Sequence, residues 1–117
     1  MSIPKPLKER RKRHKQTIAC DISPKVRAEV NERDSVDGAP CCILCGDTRW
    51  LELAHVIPRS QSGKGIPENL VVLCKSCHYN FDTGNSSWIL EKRIEAYLKQ
   101  HYPDWDRSDL VYNKFNK

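Results

Sequence analysis

The chain has no long apolar run, and this absence excludes a membrane-spanning helix. No stretch approaches the roughly 18 consecutive apolar residues that a span requires. The amino-terminal segment is charged and has no apolar stretch, so we expect no secretory signal and a cytoplasmic location. Six cysteines in a chain without an export signal favour metal binding over disulfide bonds.

Acidic residues are nearly absent from the start of the chain. Residues 1–16 contain seven basic residues and one acid, a net charge of +6, whereas the remainder contains 13 basic and 14 acidic residues, a net charge of −1. We therefore predict a flexible basic arm over residues 1–17 and one near-neutral domain over residues 18–117. Such an arm is either a solvated tail or an electrostatic contact to nucleic-acid phosphates. Its candidate contacts are Arg10, Arg11, Lys12 and Arg13.

Residue patterns predict a small α+β domain with its core at residues 40–84. Apolar residues make up 38% of the chain, which allows only a small core. A core of that size benefits from a cross-link such as a structural metal ion. Ser23 and Pro24 are typical of a helix start, and the Gly and Pro of residues 35–40 end that helix. Two strands and a short helix are then predicted at RWLELAHVI (49–57), NLVVLC (69–74) and KSCHYNF (75–81).

Residues 86–117 are predicted to form a helix followed by an irregular aromatic tail. Between Trp88 and Gln100 the apolar residues recur on one helical face, which indicates packing on the body. We expect Trp88 to lie in the core. Trp105 and Tyr112 are expected to dock on the body, with base stacking as the alternative.

Two cysteine pairs predict a structural zinc site. Cys42 and Cys45 are separated by two residues, as are Cys74 and Cys77, and the pairs lie about 30 residues apart, which is a ligand pattern of closed tetrahedral zinc. Four thiolates leave no open coordination position, so this zinc is expected to stabilise the fold rather than to catalyse. Cys41 competes with Cys42, but the symmetry of the two pairs favours Cys42.

Three further polar residues accompany the cysteine pairs. His55 lies in the first predicted strand, Asn69 precedes the second, and His78 follows Cys77 directly. A lone histidine on a strand is usually structural. Two histidines on facing elements that a metal clamps together favour a functional site instead.

The segment LAHVIPRSQSGKGIPENLVVLCKSCH (53–78) resembles the HNH nuclease motif in its four-cysteine zinc variant. The resemblance extends over about residues 26–84, and the overall layout is similar to small phage-encoded HNH endonucleases, which are often encoded beside DNA-packaging genes. It implies a ββα-metal (HNH) core with flanking helices and DNA as the substrate. It also implies the host cytoplasm as the location, with terminase or other packaging proteins as candidate partners.

The resemblance implies catalytic roles for the three polar residues. His55 would be the general base, and a neutral imidazole can accept a proton from water at physiological pH. The Asn69 side chain would form hydrogen bonds with the loop backbone and so fix the orientation of the His55 ring. His78 would bind a catalytic divalent cation such as Mg²⁺, Mn²⁺ or Ni²⁺, which stabilises the leaving 3′-oxygen. The expected products carry a 5′-phosphate and a 3′-hydroxyl.

The sequence departs from the family at Ala54, where many members have an Asp or His that binds the cation. Glu52 is one substitute, because strand alternation puts it on the same face as Ala54. Asp82 is the other and the favoured one, because it follows His78 by one helical turn. Without either ligand the site would be weak or inactive.

Basic residues near the motif are candidate DNA contacts. Arg59 is either a phosphate clamp or a solvated side chain, and Lys64 and Lys75 are candidate contacts to the DNA backbone. The predicted function is a metal-dependent DNA endonuclease without strong sequence specificity. The alternatives are a zinc-stapled DNA-binding module with little or no activity, and a protein-interaction domain that binds a larger phage enzyme.

Overall fold

The computed structural model describes residues 15–85 and 87–113. Within them the helices are α1 (Lys15–Cys20), α2 (Pro24–Arg33), α3 (Lys75–Thr83) and α4 (Ser87–His101), and the strands are β1 (Ser35–Val36), β2 (Ala39–Pro40), β3 (Leu51–His55) and β4 (Leu70–Cys74). Short 3₁₀ turns lie at Arg59–Gln61, Pro67–Asn69 and Arg107–Leu110. The prediction of a small α+β fold is confirmed.

The start of α2 follows from its capping residues. The side chain of Ser23 accepts a hydrogen bond from the backbone N–H of Val26 at 3.1 Å, and Pro24 occupies the first turn.

The segment that follows α2 forms a small hairpin as well as ending the helix. β1 and β2 pair as a hairpin, and Asp37 and Gly38 both have positive φ in the two-residue turn between them. Asp-Gly is the preferred sequence for such a turn.

β3 and β4 form an antiparallel pair in which Leu51 lies opposite Cys74 and His55 lies opposite Leu70. All five residues of β4 are buried. The reason is that helices cover both faces of the pair, which removes the polar alternation expected of a half-exposed strand. The prediction that NLVVLC contains a buried strand is therefore confirmed.

Each face of the strand pair packs on a separate apolar cluster. On one face, Ala54, Val71 and Leu73 pack with Ile94 and Leu98 of α4. On the other face, Leu70 and Val72 pack with Val30 of α2. Strand alternation thus directs residues 52 and 54 towards α3 and α4, and residues 53 and 55 towards α1 and α2.

A buried ion pair joins α2 to the rest of the domain. Arg33 contacts both carboxylate oxygens of Asp34 at 2.6 and 2.9 Å, and it also donates to the carbonyl oxygens of Pro67 and Leu70. The other bonds to the Asp34 carboxylate come from the Tyr97 hydroxyl at 2.5 Å and the Val72 N–H at 2.9 Å. Every buried group in this network has a partner, which is the condition for a buried pair to be tolerated.

The carboxyl-terminal part differs from its prediction at Trp88. Ile94 and Leu98 are buried as expected, but the side chain of Trp88 is exposed. Trp88 lies roughly 100° around the helix from these two residues, so it falls outside the buried stripe. Trp105 docks on the body as predicted, because its indole N–H donates to the carbonyl oxygen of Glu68 at 2.7 Å.

The predicted arm lies largely outside the described residues, and so do its candidate contacts Arg10, Arg11, Lys12 and Arg13. α1 begins at Lys15 and therefore includes the last three residues assigned to the arm. None of the described helices has the length and apolar character needed to cross a bilayer.

Candidate active site

Four cysteines converge beside the start of α3. The sulfur atoms of Cys42, Cys45, Cys74 and Cys77 all lie within 4.8 Å of one another, and those of Cys45 and Cys74 are 3.5 Å apart. A tetrahedral zinc with Zn–S bonds of about 2.3 Å requires sulfur separations of about 3.8 Å. The four thiols therefore fit a zinc ion without a change of fold.

Local backbone geometry supports these thiols as metal ligands. Gly46 has φ +80°, which lets the chain turn so that its N–H bonds the carbonyl oxygen of Cys42 at 2.8 Å. Burial raises the pKa of the Cys42 thiol, but backbone hydrogen bonds from Cys74, Cys45 and Leu44 outweigh burial and lower it to about 7. Ionisation of Cys42 near neutral pH suits a metal ligand, whereas burial and the neighbouring cysteines raise the pKa values of Cys77 and, against a backbone hydrogen bond from Asp47, of Cys45.

The sequence favoured Cys42 over Cys41 as the zinc ligand, and the geometry distinguishes the two residues. Cys41 is buried away from the cluster, and its sulfur lies 3.6 Å from the carbonyl oxygen of Asp34. Cys42 belongs to the four-sulfur group.

His55 is the last residue of β3 and is half-buried. Its Nε2 lies 3.1 Å from the carbonyl oxygen of Cys20, at the end of α1. Because a carbonyl oxygen can only accept, Nε2 carries the proton of the neutral ring and Nδ1 keeps its lone pair. The sequence carried no signal for this contact, since the partner is a backbone carbonyl.

Burial is the largest influence on His55 and lowers its pKa below the usual 6.5. The hydrogen bond to Cys20 opposes this shift, while the positive charge of Arg59 and an electrostatic contribution from His78 add to it. The ring is therefore mostly neutral at pH 7. The charge effect also means that the imidazoles of His55 and His78 lie within electrostatic range of each other.

α1 is held against the loop that follows β3. The N–H of Gly65 donates to the carbonyl oxygen of Ala19 at 2.9 Å. A Cβ atom on Gly65 would lie 2.1 Å from the carbonyl oxygen of Asp21, so only glycine allows this approach. Arg59 adds an ion pair to Asp21 at 2.5 Å. These contacts fix the Cys20 carbonyl next to His55.

Asn69 is fully buried and ties the loop between β3 and β4 together. Its Oδ1 accepts from the Ile57 N–H at 2.8 Å, and its Nδ2 donates to the carbonyl oxygens of Ile57 at 3.2 Å and Lys64 at 2.8 Å. Its own carbonyl oxygen accepts from the Val56 N–H at 2.8 Å. Asn69 therefore braces the two residues that follow His55.

His78 lies between two carboxylates. Its Nδ1 is 3.0 Å from Oε1 of Glu52 on β3, and its Nε2 is 3.4 Å from Oδ2 of Asp82 one turn further along α3. Both residues that could replace the missing ligand at Ala54 thus contact the same imidazole. The two carboxylates flank the ring and do not form one compact group with it. Among the described residues, the four cysteines form the only group of three or more His, Cys, Asp or Glu side chains whose ligand atoms all lie within 4.8 Å of one another.

The family model of the HNH endonucleases matches residues 42–80. We call this segment the HNH domain, after the family that it matches. The match begins at the first cluster cysteine and includes His55, Asn69 and His78, so the predicted resemblance to this family is confirmed. The small α+β architecture with its four-cysteine cluster is consistent with the ββα-metal fold. A search of curated proteins gives no match to the chain.

The HNH domain lacks a ligand at Ala54, which is fully buried against α4. Arg59 is half-exposed and paired with Asp21, so a phosphate would have to compete with that carboxylate. Lys64 is partly buried and its backbone N–H bonds the carbonyl oxygen of Leu110. Lys75 is exposed at the start of α3.

Proposed function

We propose that the HNH domain is a metal-dependent endonuclease that hydrolyses DNA phosphodiester bonds. The observation that carries the proposal is the hydrogen bond between Nε2 of His55 and the carbonyl oxygen of Cys20. It fixes the tautomer in which Nδ1 is the basic nitrogen, and the lowered pKa keeps that nitrogen unprotonated at pH 7.

His55 is proposed as the general base. Its Nδ1 would take a proton from a water molecule whose oxygen attacks the phosphorus atom. The bond between phosphorus and the 3′-oxygen would break, the 3′-oxygen would gain a proton, and the products would be a 5′-phosphate and a 3′-hydroxyl. Asn69 would act as a positioning residue by bracing the backbone that follows His55.

His78 and Asp82 are proposed to hold the divalent cation, with Glu52 as an outer partner. Two ligand atoms that bind the same cation lie about 3 Å apart. Nε2 of His78 and Oδ2 of Asp82 are 3.4 Å apart, which is close to this separation. Glu52 would then accept the N–H of Nδ1 and orient the ring, the usual carboxylate–histidine–metal arrangement. A bound cation would supply Lewis-acid stabilisation of the phosphate and the leaving oxygen.

Helix direction favours Asp82 over Glu52 as the ligand. α3 begins beside Leu51, because Leu51 pairs with the residue that precedes α3. As α3 packs back over β3, each later residue lies nearer to the His55 end of the strand. Asp82 lies about 6 Å further along α3 than His78, in the direction of the proposed base.

Zinc is proposed as the structural ion of the four-cysteine cluster, where the cysteines would hold it in a closed site. DNA contacts are proposed for Arg59 as a phosphate clamp and for Lys64. An exposed ion pair contributes at most about 1 kcal/mol of free energy. Breaking the Arg59–Asp21 pair so that Arg59 can bind a phosphate therefore costs little. The four basic residues of the arm are proposed as further phosphate contacts.

The alternative function is a zinc-stapled DNA-binding module, and buried Ala54 is the observation that favours it. A plasmid assay separates the two. The nuclease converts supercoiled plasmid to open or linear forms when Mg²⁺, Mn²⁺ or Ni²⁺ is added and stops with EDTA. The binding module slows the plasmid in a gel but does not cut it, whichever cation is added. A role in phage DNA packaging and a terminase partner are proposals that rest on the resemblance alone.

Matched truncations test the assignment of the cation ligand. Asp82→Ala is expected to raise the cation concentration for half-maximal cleavage by more than about 100-fold. Glu52→Ala should raise it about 10- to 100-fold, as is usual for an outer partner. Both side chains are about half-exposed, so neither change should unfold the domain. The reverse ranking would move the ligand role to Glu52.

A further inference from the structure

Two exposed aromatic side chains line one groove beside the cysteine cluster. Trp50 precedes β3 and is 77% exposed, and Tyr79 follows His78 on α3 and is 68% exposed. Both line a groove of about 610 Å³, together with Arg49, Lys75, Asp47 and Asn80. We call this surface the Trp50 groove. An exposed apolar surface rimmed by polar residues can mark a binding site.

The backbone at Trp50 adds a second and independent observation. Trp50 has φ +56°, the left-handed region that bulky residues avoid. Its carbonyl oxygen accepts from the N–H of Lys75 at 2.8 Å, which anchors this conformation to the start of α3. The exposed indole contributes little packing in return. A strained residue whose side chain points to solvent indicates a function for that side chain.

The charges of the groove favour a polyanion over a neutral ligand. Lys75 is exposed and has no carboxylate partner among residues 15–85 and 87–113. Arg49 is 80% exposed and lies 3.7 Å from Asp47, a distance that contributes little at an exposed site. Arg49 and Lys75 can therefore pair with the phosphates of a polyanion, while the rings of Trp50 and Tyr79 contact the apolar faces of the same ligand.

We propose that the Trp50 groove binds unpaired bases of single-stranded DNA. Aromatic side chains beside cations are the usual platform for single strands, because every base has a face that can stack. A duplex cannot use these rings, since its base faces are already covered. The identification of the polymer as DNA rests on the proposed function, and the groove lies at the Leu51 end of β3, opposite the His55 end of that strand.

The first test measures binding, so it does not depend on cleavage. Oligo-dT is expected to quench the tryptophan fluorescence of the zinc-loaded protein and to bind more tightly than a duplex of equal length. Trp50→Gly, which suits the left-handed backbone, should weaken oligo-dT binding about tenfold or more and leave duplex binding unchanged. Tyr79→Ala should act in the same direction.

Trp88→Ala is the matched control, because Trp88 is similarly exposed but lies outside the groove. Its binding should equal that of the wild type, and the basic arm is the same in every variant. Equal effects of Trp50→Gly and Trp88→Ala would overturn the proposal. So would oligo-dT that binds no tighter than duplex, or quenching by a proline-rich peptide and not by oligo-dT, which would indicate a protein partner.

A second test uses cleavage and separates this inference from the proposed function. The wild type should cut a duplex that carries a single-stranded flap faster than a plain duplex, and Trp50→Gly should lose that preference while it still cuts plain duplex. Retention of the preference by Trp50→Gly would overturn the inference. A protein that cuts neither substrate but still binds oligo-dT through Trp50 would refute the nuclease and leave the groove assignment standing.

Discussion

Replacing Asn69 with alanine tests whether Asn69 orients the His55 side chain for catalysis in addition to stabilising the fold. The substitution removes three hydrogen bonds from a fully buried side chain. The buried N–H of Ile57 loses its acceptor, at a cost of about 1–3 kcal/mol. The carbonyl oxygens of Ile57 and Lys64 each lose a bond worth about 1 kcal/mol. The free energy of unfolding should therefore fall by about 3–5 kcal/mol.

The catalytic loss should exceed what this destabilisation explains. The loop that follows His55 would relax, and a displacement of about 1 Å at a catalytic group can cost about 100-fold in rate. Asn69 contacts backbone and does not face the DNA in the proposed mechanism, so kcat should fall while KM changes little. Zinc-loaded protein would be assayed by plasmid nicking at a temperature where urea titration shows it to be folded.

Leu98→Ala provides the matched control for stability. Leu98 is fully buried on α4, away from the loop, and its truncation should also cost about 2–5 kcal/mol. When both variants are folded, Leu98→Ala should keep nearly the wild-type kcat and Asn69→Ala should not. Equal rates for the two variants would refute the positioning role of Asn69.

Three further predictions concern the metal, the base and the arm. Cys74→Ser should lose the zinc and unfold the domain, as measured by metal content and circular dichroism; a folded, zinc-free variant would contradict the structural role. Because burial and the charge of Arg59 lower the pKa of His55, kcat/KM should rise with pH up to a midpoint below 6.5 and then level off. Arg59→Ala should move that midpoint to higher pH. Stability should fall as the pH drops below 6.5, since the unfolded chain binds this proton more tightly. Removing residues 1–14, which leaves α1 whole, should weaken DNA binding and flatten its dependence on salt; an unchanged slope would show that the arm does not touch DNA.

Elements with a local chemical signature were predictable from the sequence. The Ser23–Pro24 start of α2 is encoded in residues that satisfy free backbone groups at a helix end. The cysteine cluster follows from two matched pairs, because metal ligands must recur at short spacing on tight turns. The unbroken apolar sequence of β4 reflects cover on both faces.

Features that depend on backbone atoms or on tertiary contact were not predictable. The partner of His55 is the carbonyl oxygen of Cys20, a group that every residue carries. The sequence identified Glu52 and Asp82 as substitutes for the ligand missing at Ala54, but not that both contact His78. Trp88 was expected in the core because tryptophan is apolar, yet its angular position on α4 leaves it exposed.

The most direct test of the central claim is the single-turnover cleavage rate of His55→Ala with saturating divalent cation. The account predicts that wild-type protein cuts DNA, whereas the variant binds the same DNA, keeps its zinc and its fold, and shows a loss of at least about 100-fold in rate, as expected when a general base is removed. Cleavage by His55→Ala at the wild-type rate would contradict the account, because the water would then be activated without this imidazole.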